Sequence, residues 1–396
     1  MPQNTPDVSV IIGAYDAMPY LVKCLESAES QTIGHERMEI VAVDDGSTDG
    51  TGEYLEQFAA RTRVPTRVVR QANSGAPGGP RNTGLSMARG RYVFFLDADD
   101  YLGEEALERL VAMADRAGTD VVLGRTAGVN RKAAASMWGR TVERADIFTS
   151  NVKYTLSAQK LFRRELLVRH GMRFDESLRT GEDALFTLEA YLRGSGVSVV
   201  ADHVCYYLVG REDGKHVTKG GGYAMRFDSA RALMELIARH VPKGRRRDLL
   251  MLRPFVVTLL PQFGPVLLRQ PEQVLRHKME LAAPLMAAYW TPGVARRLRT
   301  EDRLRLTCVA LNKPDALRDV VAFLQAGTPP DRVRRRGRRY AAYPYFRNPA
   351  AGIPDTAYEL REAAWARTLP GRAARRLMRV ARRTAATGEP PPRHRA

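Results

Sequence analysis

Over the first 125 residues, short apolar runs alternate with segments of helical periodicity, and two of the runs end directly on aspartate clusters. Residues 8–12, Val-Ser-Val-Ile-Ile, read as a strand, and residues 20–31 as a helix with Leu21, Leu25 and Ala28 at helical spacing. A second strand over 39–43 ends at Asp44-Asp45-Gly46-Ser47, and a third covers 67–70. Pro80 stands where a helix should begin, because its fixed φ suits the first helical position. The fourth strand, 92–96, runs straight into Asp97-Ala98-Asp99-Asp100, and a helix over 104–114 and a strand over 120–123 follow. This alternation predicts an α/β fold with a mostly parallel, Rossmann-like sheet and helices on both faces. Ligands of such sheets bind beyond the carboxyl ends of the strands, where both acidic clusters fall.

After residue 216 the pattern changes. Phe227, Ala230, Met234, Ile237 and Val241 mark one helical face, and helical character continues to about residue 324. The apolar stretch 249–268 is broken by Arg253, Pro254, Pro261, Gly264 and Pro265. A spanning helix prefers about 20 uninterrupted apolar residues, so buried helices are expected there. Gly327-Thr328-Pro329-Pro330 reads as a linker, and a basic run over 332–339 precedes Tyr340, Tyr343, Tyr345 and Phe346. The Pro- and Arg-rich end is expected to be disordered. The implied division is residues 1–216, catalytic; 217–325, a mainly helical linker; and 326–396, a basic module and tail.

The net charge of +18 is unevenly spread. Residues 1–216 hold 26 Lys/Arg against 30 Asp/Glu, and residues 217–396 hold 36 against 14. The second half should therefore meet something anionic: a membrane surface, a nucleic acid or an acidic polymer. Cys24, Cys205 and Cys308 have neither zinc-site spacing nor an even number, so buried reduced thiols are expected. The first residues carry no basic n-region and no long apolar stretch, so no secretory signal is expected.

Asp97-x-Asp99 is the strongest chemical signal. Two carboxylates just off a strand can share Mn²⁺ or Mg²⁺, hard cations whose coordination is usually completed by substrate phosphates and water. Isolated acidic pairs are common in surface loops; the apolar strand before this one argues for a site. Asp45 can accept a base N–H, while Ser47 or Thr48 could instead cap a helix. Asn73 to Gly84 forms a loop entering a helix that fits neither the dinucleotide pattern nor the P-loop. Arg81 near that helix start could reach a phosphate or hold the acidic cluster in place. Asp183 follows Glu182 at a helix start, where an acid favours the dipole or acts as a general base. His216, in the polar loop that closes the first half, could touch a diphosphate or be solvent-exposed.

These residues together resemble family 2 glycosyltransferases of the GT-A fold, over roughly residues 7–216. Residues 8–15 resemble the family's opening strand, with Gly13 where proline is usual and Asp16 where asparagine is usual. The resemblance implies a nucleotide-sugar donor site that includes Gly13, in which Tyr15 borders the base and Asp45 accepts from uracil. It further implies that Asn73 and Arg81 line the donor. Asp97 and Asp99 then belong to the metal and diphosphate, and Asp183 is the catalytic base with Glu182 beside it. Asn73-Ser74-Gly75, Pro80-Arg81-Asn82-Thr83-Gly84-Leu85 and Glu182-Asp183 followed by Leu185-Phe186 are similar to the wall teichoic acid N-acetylglucosaminyltransferases. Those enzymes also carry a helical linker behind the catalytic domain.

The expected activity is therefore inverting, metal-dependent transfer of a sugar, an N-acetylhexosamine from a UDP-sugar, to a hydroxyl of a cell-envelope polymer of polyol-phosphate type. A neutral exopolysaccharide or glycolipid acceptor is the alternative. A nucleic-acid-binding protein is the rival of another class, and the absence of a recognised nucleic-acid motif counts against it. A processive synthase would bring a Gln-x-x-Arg-Trp motif, which Trp138, Trp290 and Trp365 do not supply. The expected place is the cytoplasm, peripheral on the inner face of the membrane. A basic amphipathic helix over 371–383 would lie on anionic lipid there, and the 332–339 run would meet the phosphate-rich polymer. The sequence leaves homo-oligomer formation open.

Overall fold

The computed structural model describes residues 5–133, 137–211 and 222–360. His216 and the 371–383 segment lie outside the described residues, as does the tail. The chain forms two compact units: Met1–Phe263 with Glu272–Val294, and Gly264–Pro271 with Ala295–Ala396.

The first unit opens with β1 (Val8–Ala14), α1 (Tyr20–Glu29), β2 (Met38–Asp44), α2 (Thr51–Arg61), β3 (Thr66–Arg70), α3 (Gly78–Met87) and β4 (Tyr92–Asp97). It continues through β5 (Tyr101–Leu102), α4 (Ala106–Ala117), β6 (Val121–Val129), β7 (Leu161–Arg163), α5 (Arg164–Arg169), α6 (Glu182–Arg193) and β8 (Val197–Val209). One eight-stranded sheet results, ordered β3-β2-β1-β4-β7-β6-β8-β5. The four strands β3-β2-β1-β4 are parallel, as the alternation predicts. Beyond them β7 runs antiparallel to both β4 and β6, so the sheet is mixed.

Successive side chains point to opposite faces, and both faces are covered. Val8, Val10 and Ile12 join Leu21, Cys24, Leu25, Leu107 and Leu110 in one apolar cluster. On the other face Phe95 meets Phe162, Phe174 and Phe186 edge-on, with centroids 5.9, 5.0 and 5.6 Å away. Helix α3 closes on that face because Gly84 has no side chain; a Cβ there would come within 2.4 Å of Ile11 Cγ2.

Helices α7 (Tyr223–His240), α8 (Arg245–Arg253) and α9 (Glu272–Tyr289) follow, then α10 (Pro292–Ala295). Phe227, Ala230, Met234 and Ile237 of α7 are buried, as their spacing predicts. A π-helical segment, Pro254–Leu259, follows α8 directly. Pro254 has no N–H to continue the α ladder, which accounts for the change of pattern. Among the described residues, Arg245–Arg269 is the one helical stretch long and apolar enough to cross a membrane, and 50% of its most apolar window is buried in the protein.

The second unit contains α11 (Thr300–Ala310), α12 (Pro314–Gln325) and an antiparallel hairpin of β9 (Asp331–Arg335) and β10 (Arg338–Ala342). All three cysteines are buried and free.

Candidate functional site

Parallel pairing brings the ends of β1, β2 and β4 to one edge of the sheet. Gly13 pairs with Val43 on one side and Asp97 on the other, and Ala14 pairs with Asp44. A cleft of about 1070 Å³ opens there. Gly13, Tyr15, Asp45, Asn73, Arg81, Asp97, Asp99, Glu182 and Asp183 all line it. Every described residue expected at the site is therefore brought together.

Asp45 is buried and held by its own chain. Gln71 Nε2 donates to Oδ1 at 2.6 Å, and Ser74 donates through its Oγ to Oδ2 at 2.8 Å and through its backbone N–H. The turn beyond Asp45 depends on Gly46, whose φ is +79°. A Cβ there would come 2.8 Å from the Asn73 nitrogen. Gly46→Ala should therefore lower stability by about 1–3 kcal/mol and displace Asn73 from the cleft. A melting temperature and UDP affinity equal to those of the unaltered protein would refute this.

Ser47 and Thr48 do not cap α2, whose N-terminal residue before Thr51 is Gly50. Ser47 Oγ instead accepts from the Asp16 N–H at 3.0 Å, and Thr48 N–H donates to Asp16 Oδ1 at 2.9 Å. Thr51 and Asp49 likewise accept from the Ala17 and Met18 N–H groups. The two loops at the mouth are thus tied together, which explains the αL-like φ of +42° at Asp16, a conformation that aspartate tolerates better than most residues.

Arg81 is ion-paired with the acidic cluster. Its guanidinium, nearly buried, binds Asp97 Oδ1 at 2.7 Å and Glu182 Oε1 at 3.0 Å. Burial works against the charge, yet Asp97 and Glu182 overcome it and raise Arg81 above its ordinary value. Burial and the neighbouring Asp183 carboxylate push Glu182 up to about 7, against the pull of Arg81. Asp97 Oδ2 accepts from Gln159 Nε2, so both Asp97 oxygens are engaged by protein.

Asp99 differs from Asp97. No side-chain hydrogen bond reaches it among the described residues, and burial together with Asp97 pushes it up to about 6, opposed by Arg211 and Arg131. It is a carboxylate placed where a cation would relieve it. Asp100, the third acid of the cluster, turns away. Tyr206 Oη donates to it at 2.6 Å and the Val209 N–H at 2.7 Å. Burial, Asp97 and Asp99 push Asp100 up to about 8.

Asp183 stands in the first turn of α6, so the helix dipole favours its charge. Lys160 and Arg253 are both close enough to feel its carboxylate. Lys160 is fully buried and burial pushes it down to about 7, while the buried Arg253 Nε has no hydrogen-bond partner among the described residues. Helix α7 supports the turn before α6: Ser229 Oγ donates to the Thr180 carbonyl, and a Cβ on Gly181, where φ is +88°, would come within 2.9 Å of Ser229 Cβ. Residues after 222 thus help to build the cleft, among them Arg226, Ser229, Arg253, Thr258 and Gln262.

Sequence reasoning missed Gln159, Lys160, Arg211 and Arg253. The first two precede the apolar pair Leu161-Phe162 of a three-residue strand that was not anticipated. Arg211 donates to the Asp16 carbonyl at 3.0 Å across nearly 200 residues of chain, a pairing without a local signal.

Residues 9–173 match the model of glycosyl transferase family 2, and residues 224–321 that of the glycosyl transferase TarS linker domain. Residues 9–173 are thus a glycosyl transferase family 2 region. Over 212 residues it is 38% identical to a poly(ribitol-phosphate) beta-glucosyltransferase of Bacillus spizizenii, an alignment covering 53% of this chain and 33% of that protein. It is equally similar to the poly(ribitol-phosphate) beta-N-acetylglucosaminyltransferase TarS of Staphylococcus aureus, over 53% of this chain and 36% of TarS. The chain thus spans about a third of the length of these curated relatives. The crystal structure of S. aureus TarS 1–349 in complex with UDP-GlcNAc superposes with a TM-score of 0.78 at 27% identity, covering 90% of this chain and 99% of that one. The family 2 fold, and the helical region behind it, are therefore shared with TarS.

Proposed function

We propose that this protein transfers a sugar, N-acetylglucosamine in the first instance, from a UDP-sugar to a hydroxyl of a polyol-phosphate polymer, with inversion at the anomeric carbon. The observation that carries the reading is the cleft itself, where Asp97, Asp99 and Arg81 face Asp183 at the carboxyl edge of the sheet. The likeness to two poly(ribitol-phosphate) transferases supports the acceptor, and the UDP-GlcNAc held by TarS supports the donor.

Gly13, Tyr15 and Asn73 lie where they would border the nucleotide. Asp45, fixed by Gln71 and Ser74, offers a rigid carboxylate to the base. Among the described residues no group of three His, Cys, Asp or Glu could hold a metal ion by itself, so a divalent cation here would need phosphate and water to complete its shell; the fit rests on Asp99, a carboxylate that burial and Asp97 push up and that a cation would relieve. Mn²⁺ or Mg²⁺ would be held by Asp99, with Asp97 behind it as the partner of Arg81, and would neutralise charge on the departing diphosphate. Asp183 accepts the proton of the acceptor hydroxyl, whose oxygen attacks the anomeric carbon from the face opposite the nucleotide. Lys160 and Arg253 lie beside Asp183. Positioning and fixed charge supply most of the acceleration. A place on the inner face of the membrane fits a donor made in the cytoplasm.

The test is a transfer assay with UDP-GlcNAc and UDP-glucose as donors and purified poly(ribitol phosphate) as acceptor, the product anomer being read by NMR. A β-linked product is expected; turnover only on neutral glycans would redirect the acceptor to an exopolysaccharide or glycolipid. For the metal, UDP should bind more tightly with Mn²⁺ or Mg²⁺, and Asp99→Asn should remove that gain without unfolding the protein. Calorimetry showing equal UDP affinity with and without the cation would sink the metal assignment.

A further inference from the structure

The basic run after the helical region forms an antiparallel hairpin of β9 and β10. Arg338 pairs with Arg335 and Arg339 with Arg334, so two pairs of guanidinium groups stand directly opposite each other. Side chains alternate between faces, which puts Arg332, Arg334 and Arg339 on one face and Arg335 and Arg338 on the other. Like charges directly opposite one another destabilise a strand pair. The turn adds a further cost. A two-residue loop of this kind, Arg336-Gly337, needs positive φ at both positions, and asparagine is the favoured first residue. Arg336 stands there at φ +46°. Residues 331–339 are all exposed. The hairpin's base is nonetheless tied down: Leu360 N–H donates to the Arg339 carbonyl at 2.7 Å, Ala341 N–H to the Tyr358 carbonyl at 3.0 Å, and the Tyr340 ring packs against Phe346 at a tilt of 32°. Guarding a free strand edge requires a charge or two; it accounts neither for opposed arginines nor for an arginine at a strained tip.

We propose that the β9–β10 hairpin is a docking surface for a linear polyol-phosphate polymer, whose phosphates lie along the exposed guanidinium groups of Arg332, Arg334, Arg335 and Arg336. Within 331–339 the one apolar residue is Val333, so the hairpin has no apolar face to sink into lipid, and a flexible polyanion fits it better than a membrane. The choice of polymer rests on the acceptor reading above; the surface is separate from the residues assigned to the chemistry.

The test uses the full chain carrying Arg332→Ser, Arg334→Ser, Arg335→Ser and Arg336→Asn, which leaves Arg338 with Glu359 and keeps a residue suited to positive φ at the tip. Binding to purified poly(ribitol phosphate) is measured across a salt series, beside binding to phosphatidylglycerol vesicles and to UDP. Polymer affinity should fall roughly tenfold or more at low salt, with a shallower dependence on salt because fewer counterions are released. A variant carrying Arg332→Lys, Arg334→Lys and Arg335→Lys, with Arg336 unchanged, should keep most of the affinity. Unchanged polymer affinity and salt slope, or a loss confined to the vesicles, would overturn the proposal. UDP binding is read in the same samples, so failure of the donor assignment would appear as absent UDP binding in both proteins and leave the polymer comparison intact.

Discussion

Asp183→Asn is expected to bind UDP with nearly unchanged affinity and to turn over 10²- to 10⁴-fold more slowly, roughly the usual contribution of a general base. The asparagine is close to the same size and keeps a polar oxygen near the Ala184 N–H, which Asp183 Oδ1 accepts at 2.7 Å. It cannot take the proton of the acceptor hydroxyl. The loss should therefore fall on kcat, and KM for the donor should hardly move. Weakened UDP binding with near-normal turnover would place Asp183 on the donor side of the cleft and leave the base to be found elsewhere. Both Lys160 and Arg253 lie near this carboxylate, so a small secondary effect on local stability is expected, since their charges lose a partner.

Arg81→Ala should be the most destabilising single change among the residues lining the cleft. It removes the cation that bridges Asp97 and Glu182, the Arg81 and Glu182 side chains being 9% and 7% exposed. Breaking a buried ion pair from one side costs about 3–5 kcal/mol, because the remaining charge stays buried without its partner. At roughly 2–4 °C per kcal/mol for a unit of this size, the melting temperature should drop by about 6–20 °C. Arg81→Lys keeps the charge but lacks the planar fork that reaches both carboxylates, so it should fall between the two. Adding Glu182→Gln to Arg81→Ala should recover part of the loss, since the uncompensated charge is then gone; strict additivity of the two changes would show that the pair is not coupled. If Arg81→Ala instead melted normally and lost UDP affinity, Arg81 would be a donor residue and not the bracket of the acidic cluster.

Much of the catalytic half was legible in the chain itself. Alternation of apolar runs with helical periodicity depends only on local side-chain order, and it located β1, β2, β3, β4 and α1 to within two residues at either end. The acids that end β2 and β4 could be assigned to one edge because parallel strands must place their carboxyl ends together. The spacing of Phe227, Ala230, Met234 and Ile237 gave the buried face of α7 for the same local reason. Tertiary structure alone decided the rest. The antiparallel β7 is three residues long, too short to show a period, and it enters the sheet between β4 and β6 by long-range pairing. Which of two neighbouring aspartates is engaged by protein depends on Arg81 and Gln159, which come from separate elements. Likewise Arg253 reaches Asp183 only because α8 packs onto the catalytic core, and the opposed arginines of the hairpin follow from its register. Periodicity and turn chemistry are written in neighbouring residues, whereas the partner of a buried charge is chosen by packing between residues far apart in the chain.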